Sequence, residues 1–278
     1  MQSQPNQVNA GQRLRDARAF VFDMDGVLYR GASLLPGVND LLNALELRER
    51  RYIFATNNSM ASPTEYVAKL AKMGVAVPEE AILTAGTATR DYLVERLPPD
   101  SAIFVIGMPA FHEQIFGDTG FRPVTSEEDH PAAVVVGLDI TYTYDKMKTA
   151  NAAIRAGATF IATNADATLP TEAGLVPGAG SILAGIITAS GRQPTIVGKP
   201  EPLILEQALE RLGVTAADSV MIGDRLDSDI VAGNRAGMMT ALVLTGVSTR
   251  DEIGSSPVRP DLVFTDLPAL LNAIVGVA

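Results

Sequence analysis

Cysteine is missing from all 278 residues, and with it go disulfides, thiolate zinc centres and cysteine nucleophiles. Histidine is nearly missing too: His112 and His130 are too few for a histidine cage around a metal. No apolar run approaches the roughly 20 residues that a bilayer-crossing helix needs. The first segment, Met1 to Arg15, is rich in Gln, Asn and Arg and lacks the apolar stretch of a signal peptide. A cytoplasmic chain with no membrane partner is therefore expected. Positive charge is also scarce, with 22 Lys and Arg against 32 Asp and Glu, a formal net charge of −10. That balance argues against nucleic acid as a partner, because neutralising its phosphates takes clustered cations.

What is present is core material. Hydrophobic residues make up 47% of the chain, enough for one large α/β domain or two modest ones, and two is the preferred reading. Strand-like and helix-like stretches alternate, the pattern of a parallel sheet covered by helices. Val38, Leu41, Leu42 and Leu45 recur at helical spacing behind Pro36-Gly37, and Tyr52 to Thr56 reads as a buried strand. Ser62-Pro63-Thr64-Glu65 is a capping box with proline at the first helical position, and Gly74 closes the helix that it opens. From about Thr84 to Pro194 the alternation restarts, with strands at Ala102 to Ile106, Ala132 to Val136 and Thr159 to Ala162. Core-like segments resume after it, so the second domain is inserted into the first. The expected division is a flexible N-terminal arm over 1–17, a doubly wound core over 18–84 and 195–278, and an inserted α/β domain over 85–194.

The chemistry gathers at strand ends. Asp23 and Asp25 follow the apolar run Ala19 to Phe22, and in a strand side chains two apart share a face. Gly26 then lets the backbone turn sharply. A second acidic cluster, Asp224, Asp227 and Asp229, follows the strand-like Ser219 to Ile222. Carboxylates on two strand ends suit a hard cation facing an anionic substrate. An acidic chain can hold such a substrate if a divalent ion and one lysine reverse the sign locally, since distant charges are screened beyond about 8 Å. Taken alone, Asp227-Ser228-Asp229 would cap a helix beginning near Ile230, and Gly178-Ala179-Gly180-Ser181, with neither a preceding strand nor the third glycine, is a turn and helix start.

In order, Asp23 to Leu28, Thr56-Asn57-Asn58, Gly198-Lys199-Pro200 and Gly223-Asp224 with Asp229 resemble the four motifs of the haloacid dehalogenase-like superfamily of phosphatases. The inserted region resembles the large α/β cap of its NagD-like branch, which holds para-nitrophenyl and phosphoglycolate phosphatases, through Val136 to Asp139, Ala162 to Asp166 and Pro177 to Gly180. The resemblance implies a magnesium-dependent hydrolase of small phosphate esters working through an aspartyl-phosphate. Asp23 is the implied nucleophile. Asp23, the main-chain carbonyl of Asp25, and Asp224 are the implied magnesium ligands. Asp25 suits the proton donor to the leaving group. Thr56, Asn57 and Asn58 offer a hydroxyl, amides and N–H groups for the phosphoryl oxygens, and Lys199 adds a full positive charge. Asp229, and more remotely Asp227, are assigned to orienting water or Lys199. In the inserted domain Asp166, Leu169 and Glu172 are the candidate specificity residues, on a connection with no aromatic residue. Dimerisation through the cap follows the family. A phosphotransferase or phosphomutase using the same intermediate, and a silent metabolite-binding protein, are the competing readings.

Overall fold

The computed structural model describes residues 5–171 and 174–276, which fall into two compact units. The first holds the residues up to Thr56, Tyr66–Leu83 and those from Lys199 onward; the second holds Asn57–Glu65 and Thr84–Gly198.

The first unit is built on a six-stranded sheet in the order Leu262–Phe264, Met239–Val243, Ser219–Gly223, Ala19–Phe22, Arg51–Thr56, Ile82–Thr84. Pairing is parallel from Leu262–Phe264 across to Arg51–Thr56. Every residue of Ala19–Phe22, Ser219–Gly223 and Met239–Val243 is buried, which is why these strands read as mainly apolar runs, interrupted by Ser219 and Thr240, and need helices on both faces. Phe20 and Phe22 share one face with ring centroids 6.3 Å apart, and Phe22 meets its register partner Phe54 at 6.0 Å. Full burial of each such ring contributes about 2 kcal/mol. The order turns back on either side of Ala19–Phe22. Asp23 therefore leaves the sheet where an open α/β fold forms its crevice, beyond the carboxyl ends of the strands.

The second unit carries a five-stranded parallel sheet in the order Thr195–Ile196, Thr159–Ala162, Ala133–Val136, Ala102–Ile106, Arg122–Pro123. Phe104, Ile106, Val134, Val136 and Phe160 pack with Ala150, Ile154, Leu183 and Ile186 from the helices Tyr144–Ala156 and Ala179–Ser190. The chain is thus α/β with doubly wound parallel sheet, as expected. Among the described residues no helix is long and apolar enough to cross a membrane.

Two local expectations need correction. The arm expected over 1–17 is a helix from Pro5 to Asp16. Leu14 is buried on it, with Ala10 and Ala17 to either side, and Gln12 bonds Asp16 and Arg15 four and three residues apart. The connection between the Thr159–Ala162 strand and the next helix is not an open loop. Thr168–Thr171 and Gly174–Pro177 pair as an antiparallel hairpin, with Leu169 opposite Val176. Glu172, one of the three candidate specificity residues, lies outside the described residues.

Candidate active site

Asp23 extends its strand by one residue, donating its N–H to the Ile222 carbonyl at 2.8 Å. The next residue, Met24, points into the core, fully buried. The chain then folds back. The Leu28 N–H donates to the Met24 carbonyl and the Gly26 N–H to the Tyr29 carbonyl, both at 2.8 Å. Gly26 is needed twice over: its φ is +80°, and an added Cβ would stand 2.6 Å from Asp224 Oδ2. Asp25 lies on the exposed side of this turn. Protein around it raises its carboxyl, and Lys69 partly offsets the rise.

The Lys199 ammonium is the hub of the first unit's polar core. It donates to Asp23 Oδ1 at 2.6 Å, Asp229 Oδ1 at 2.7 Å and the Ala55 carbonyl at 3.0 Å. Lys199 is 1% exposed and Asp229 equally buried, so the charges compensate one another out of reach of solvent. Burial pulls Lys199 down, but Asp229 and Asp23 outweigh it and hold the ammonium above its ordinary range.

Asp224 follows the neighbouring strand Ser219–Gly223. Its Oδ2 accepts the Val247 N–H at 2.7 Å, its carbonyl accepts the Ser248 N–H at 3.0 Å, and its Oδ1 is buried without a hydrogen-bond partner. Asp229 sits in a π-helical turn, Leu226–Ile230, whose wide spacing brings its Oδ2 back to the N–H groups of Asp224 and Arg225, each at 3.1 Å. Asp229 thus caps no helix at Ile230. Asp227 points away; it is exposed and paired with Arg225.

Carboxylate oxygens of Asp23, Asp224 and Asp229 all lie within 4.8 Å of one another. Burial first, then the charge of Asp229 against the pull of Lys199, raises Asp23 to about 6. Burial followed by Asp229 and Asp23 raises Asp224 to about 8. Groups so placed take up either a proton or a cation. The unpartnered Asp224 Oδ1 beside Asp23 fits a hard divalent ion that favours few carboxylates. Asp229, its oxygens bound to Lys199 and two N–H groups, stands behind that pair.

Sequence reading missed the loop that closes this cluster, Thr245 to Ser248. It supplies the Val247 and Ser248 N–H groups, ties Thr245 Oγ1 to the Gly26 carbonyl at 2.7 Å and Ser248 Oγ to the Leu226 N–H at 3.0 Å. Gly246 lies so close to the Asp224 carboxylate that no side chain fits between them. The available signal was position: Gly246 follows Met239–Val243, the strand next to the one that delivers Asp224.

Thr56 is buried at the end of its strand. In the second unit, Asn57 donates its side-chain amide to Asp166 Oδ2 at 3.1 Å, and its carbonyl accepts the Asn164 amide at 2.8 Å. Asn58 Oδ1 accepts the Met60 N–H at 2.7 Å, closing a local turn. Asp166 is therefore engaged with Asn57, whereas Leu169 is half-buried on the hairpin.

Comparison with known proteins follows the same lines. A family model described as haloacid dehalogenase-like hydrolase matches residues 20–122, and a second, HAD-hydrolase-like, matches 196–270. An acid sugar phosphatase of Staphylococcus aureus is 35% identical over 254 residues, covering 91% of this chain and 96% of that protein. The crystal structure of a 4-nitrophenylphosphatase from Thermotoga maritima superposes with a TM-score of 0.88 at 39% identity, covering 94% of this chain and 99% of the other. A glycerol phosphate phosphatase of Mycobacterium tuberculosis, solved in complex with magnesium, gives 0.84 at 35% identity, with 93% and 77% covered. The chain belongs to the haloacid dehalogenase-like hydrolases, in their phosphatase branch.

Proposed function

We propose that the chain is a magnesium-dependent phosphatase that hydrolyses small phosphomonoesters through an aspartyl-phosphate on Asp23. The observation that carries this reading is the grip of Lys199 on Asp23 Oδ1 beside the unpartnered Asp224 Oδ1. With Oδ1 held, Asp23 Oδ2 is the oxygen presented to phosphorus. Its attack forms the acyl phosphate as the ester P–O bond breaks, and Asp25 gives its proton to the departing alkoxide. Asp25 then takes a proton from the water that attacks the acyl phosphate, releasing phosphate and restoring Asp23. Thr56 and the Asn57 and Asn58 segment hold the phosphoryl oxygens, while Lys199 offsets the charge of a dianion approaching a carboxylate. Bound by Asp23, the Asp25 carbonyl and Asp224, magnesium would supply the remaining charge neutralisation.

Relatives named for sugar, glycerol and nitrophenyl phosphates support substrates with small polar or activated leaving groups. Cytoplasmic residence fits a chain without cysteine, and self-association through the inserted unit is proposed from the resemblance. Purified protein incubated with magnesium and a panel of phosphate esters should release inorganic phosphate, and excess chelator should stop it. Absence of release across the panel, or release that chelator leaves untouched, overturns the reading.

A further inference from the structure

A hollow at the other edge of the first unit's sheet carries charge that the proposed chemistry does not use. Arg18, Arg48, Arg50 and Arg51 line a cavity of about 380 Å³, completed by Glu49 and Val214. Arg51 opens the strand Arg51–Thr56, Arg18 directly precedes Ala19–Phe22, and the Arg51 N–H donates to the Arg18 carbonyl at 3.1 Å. Asp23 and Thr56 leave these same two strands at their opposite ends. At ~3.3 Å per residue, the strands separate the two edges by roughly 15 Å, so the hollow is distinct from the carboxylate cluster.

Three of the four guanidiniums are held by main-chain carbonyls. Arg50 donates to those of Asp16 and Arg15 at 3.3 and 3.2 Å, Arg48 to that of Ala44 at 3.2 Å, and Arg51 to that of Leu212. None of the four, among the described residues, is ion-paired with a carboxylate. Asp16 is no exception, since its carboxylate is taken by Gln12. In a chain of net charge −10, four guanidiniums against the single carboxylate of Glu49 leave one concave place strongly positive. Each guanidinium offers five donors, most of them unspent on the carbonyls named.

We propose that this hollow binds a compact polyanion carrying two or more phosphate groups, such as pyrophosphate or a bisphosphorylated sugar. Guanidinium forks match phosphate oxygens two at a time. The volume lies in the range of small-ligand sites. No aromatic side chain lines the hollow to stack a base, which disfavours a nucleotide.

The test is calorimetric titration of inorganic pyrophosphate in metal-free buffer into the full chain, into Arg18→Ala/Arg48→Ala, and into Val214→Glu, which sets a carboxylate in the hollow. Wild type is expected to bind, and each variant to weaken binding about tenfold or more. Arg122→Ala/Arg155→Ala, with the same charge change in the second unit, should bind as wild type does. All variants should hydrolyse nitrophenyl phosphate with magnesium at wild-type rates. No binding by wild type at about millimolar pyrophosphate, unchanged affinity in both hollow variants, or equal loss in the control variant overturns the proposal.

Discussion

Asp229 grips Asp224 through the main chain: one carboxylate oxygen accepts the Asp224 N–H at 3.1 Å while the other takes the Lys199 ammonium at 2.7 Å. One side chain thus fixes both the acidic strand end and the lysine that holds Asp23. Removing it in Asp229→Ala takes one of two carboxylate partners from the buried ammonium, leaving it Asp23 and the Ala55 carbonyl, and takes the acceptor from the N–H groups of Asp224 and Arg225. The expected cost is about 3–5 kcal/mol of stability, seen as a lower urea midpoint, together with loss of turnover even at low temperature where the variant remains folded. A variant as stable and as active as wild type would refute this role.

Asp23 and Asp25 are expected to fail differently. Asp23→Asn should keep the fold and abolish turnover, because an amide is a poor nucleophile. Asp25→Asn should slow hydrolysis of an alkyl phosphate about 100-fold or more, the usual worth of a general acid, while slowing a nitrophenyl ester much less, since nitrophenolate leaves without protonation. Steady-state rates on the two esters decide it; equal losses on both would remove Asp25 from the acid role.

Metal and pH are linked through the same carboxylates. Asp23 and Asp224 stand at about 6 and about 8 in the metal-free fold, above the ordinary 3.8. Between 3.8 and those values the folded chain holds more protons than the unfolded one, so the contribution of these groups is full below the ordinary value and fades as pH rises through the folded values. In chelator the Tm should therefore fall from about pH 5 to about pH 8. Magnesium displaces those protons, so the Tm gain it brings should grow across the same window. Asp224→Ala should raise the magnesium concentration needed for half activity at least about tenfold, and calcium should compete. A metal-induced gain that shrinks with pH would contradict the linkage.

In the second unit, Asp166 and Leu169 should behave as different kinds of residue. Asp166 accepts the Asn57 amide, so Asp166→Ala should depress activity on every ester by a similar factor, through the segment beside Thr56. Leu169 is half-buried on the hairpin and engaged in no side-chain bond with the Asn57 segment, and substitution there or at Glu172, the other candidate specificity residue, should reorder the substrate panel without changing the magnesium requirement. A reordered panel in Asp166→Ala would return that residue to the specificity set.

Much of this was legible in the letters. Strands buried on both faces announce themselves as runs such as Ala19 to Phe22, and the capping box at Ser62 and Glu65 forms both of its bonds, at 2.7 and 3.2 Å. Carboxylates two residues apart, or just past a strand, are visible for the same reason. The loop from Thr245 to Ser248 was not, because it acts through main-chain N–H groups and through the lack of a side chain at Gly246. Nor was the difference between Asp227 and Asp229, which depends on a π-helical turn that no residue in Leu226–Ile230 advertises. The hairpin at Thr168–Thr171 escaped because its strands are short and, as at Leu175 and Val176, exposed, so no buried face imposed a pattern.

Gly26, Gly223 and Gly246 crowd the carboxylates of Asp224 and Asp229 so closely that a methyl group at any of them displaces an acid. A chain could keep every aspartate and the lysine yet carry alanine at the position of Gly246, and be inert while matching every acidic signature of an active enzyme. Genome-scale assignments that score only the charged letters would count such chains as hydrolases; scoring the glycines beside them would separate the two groups.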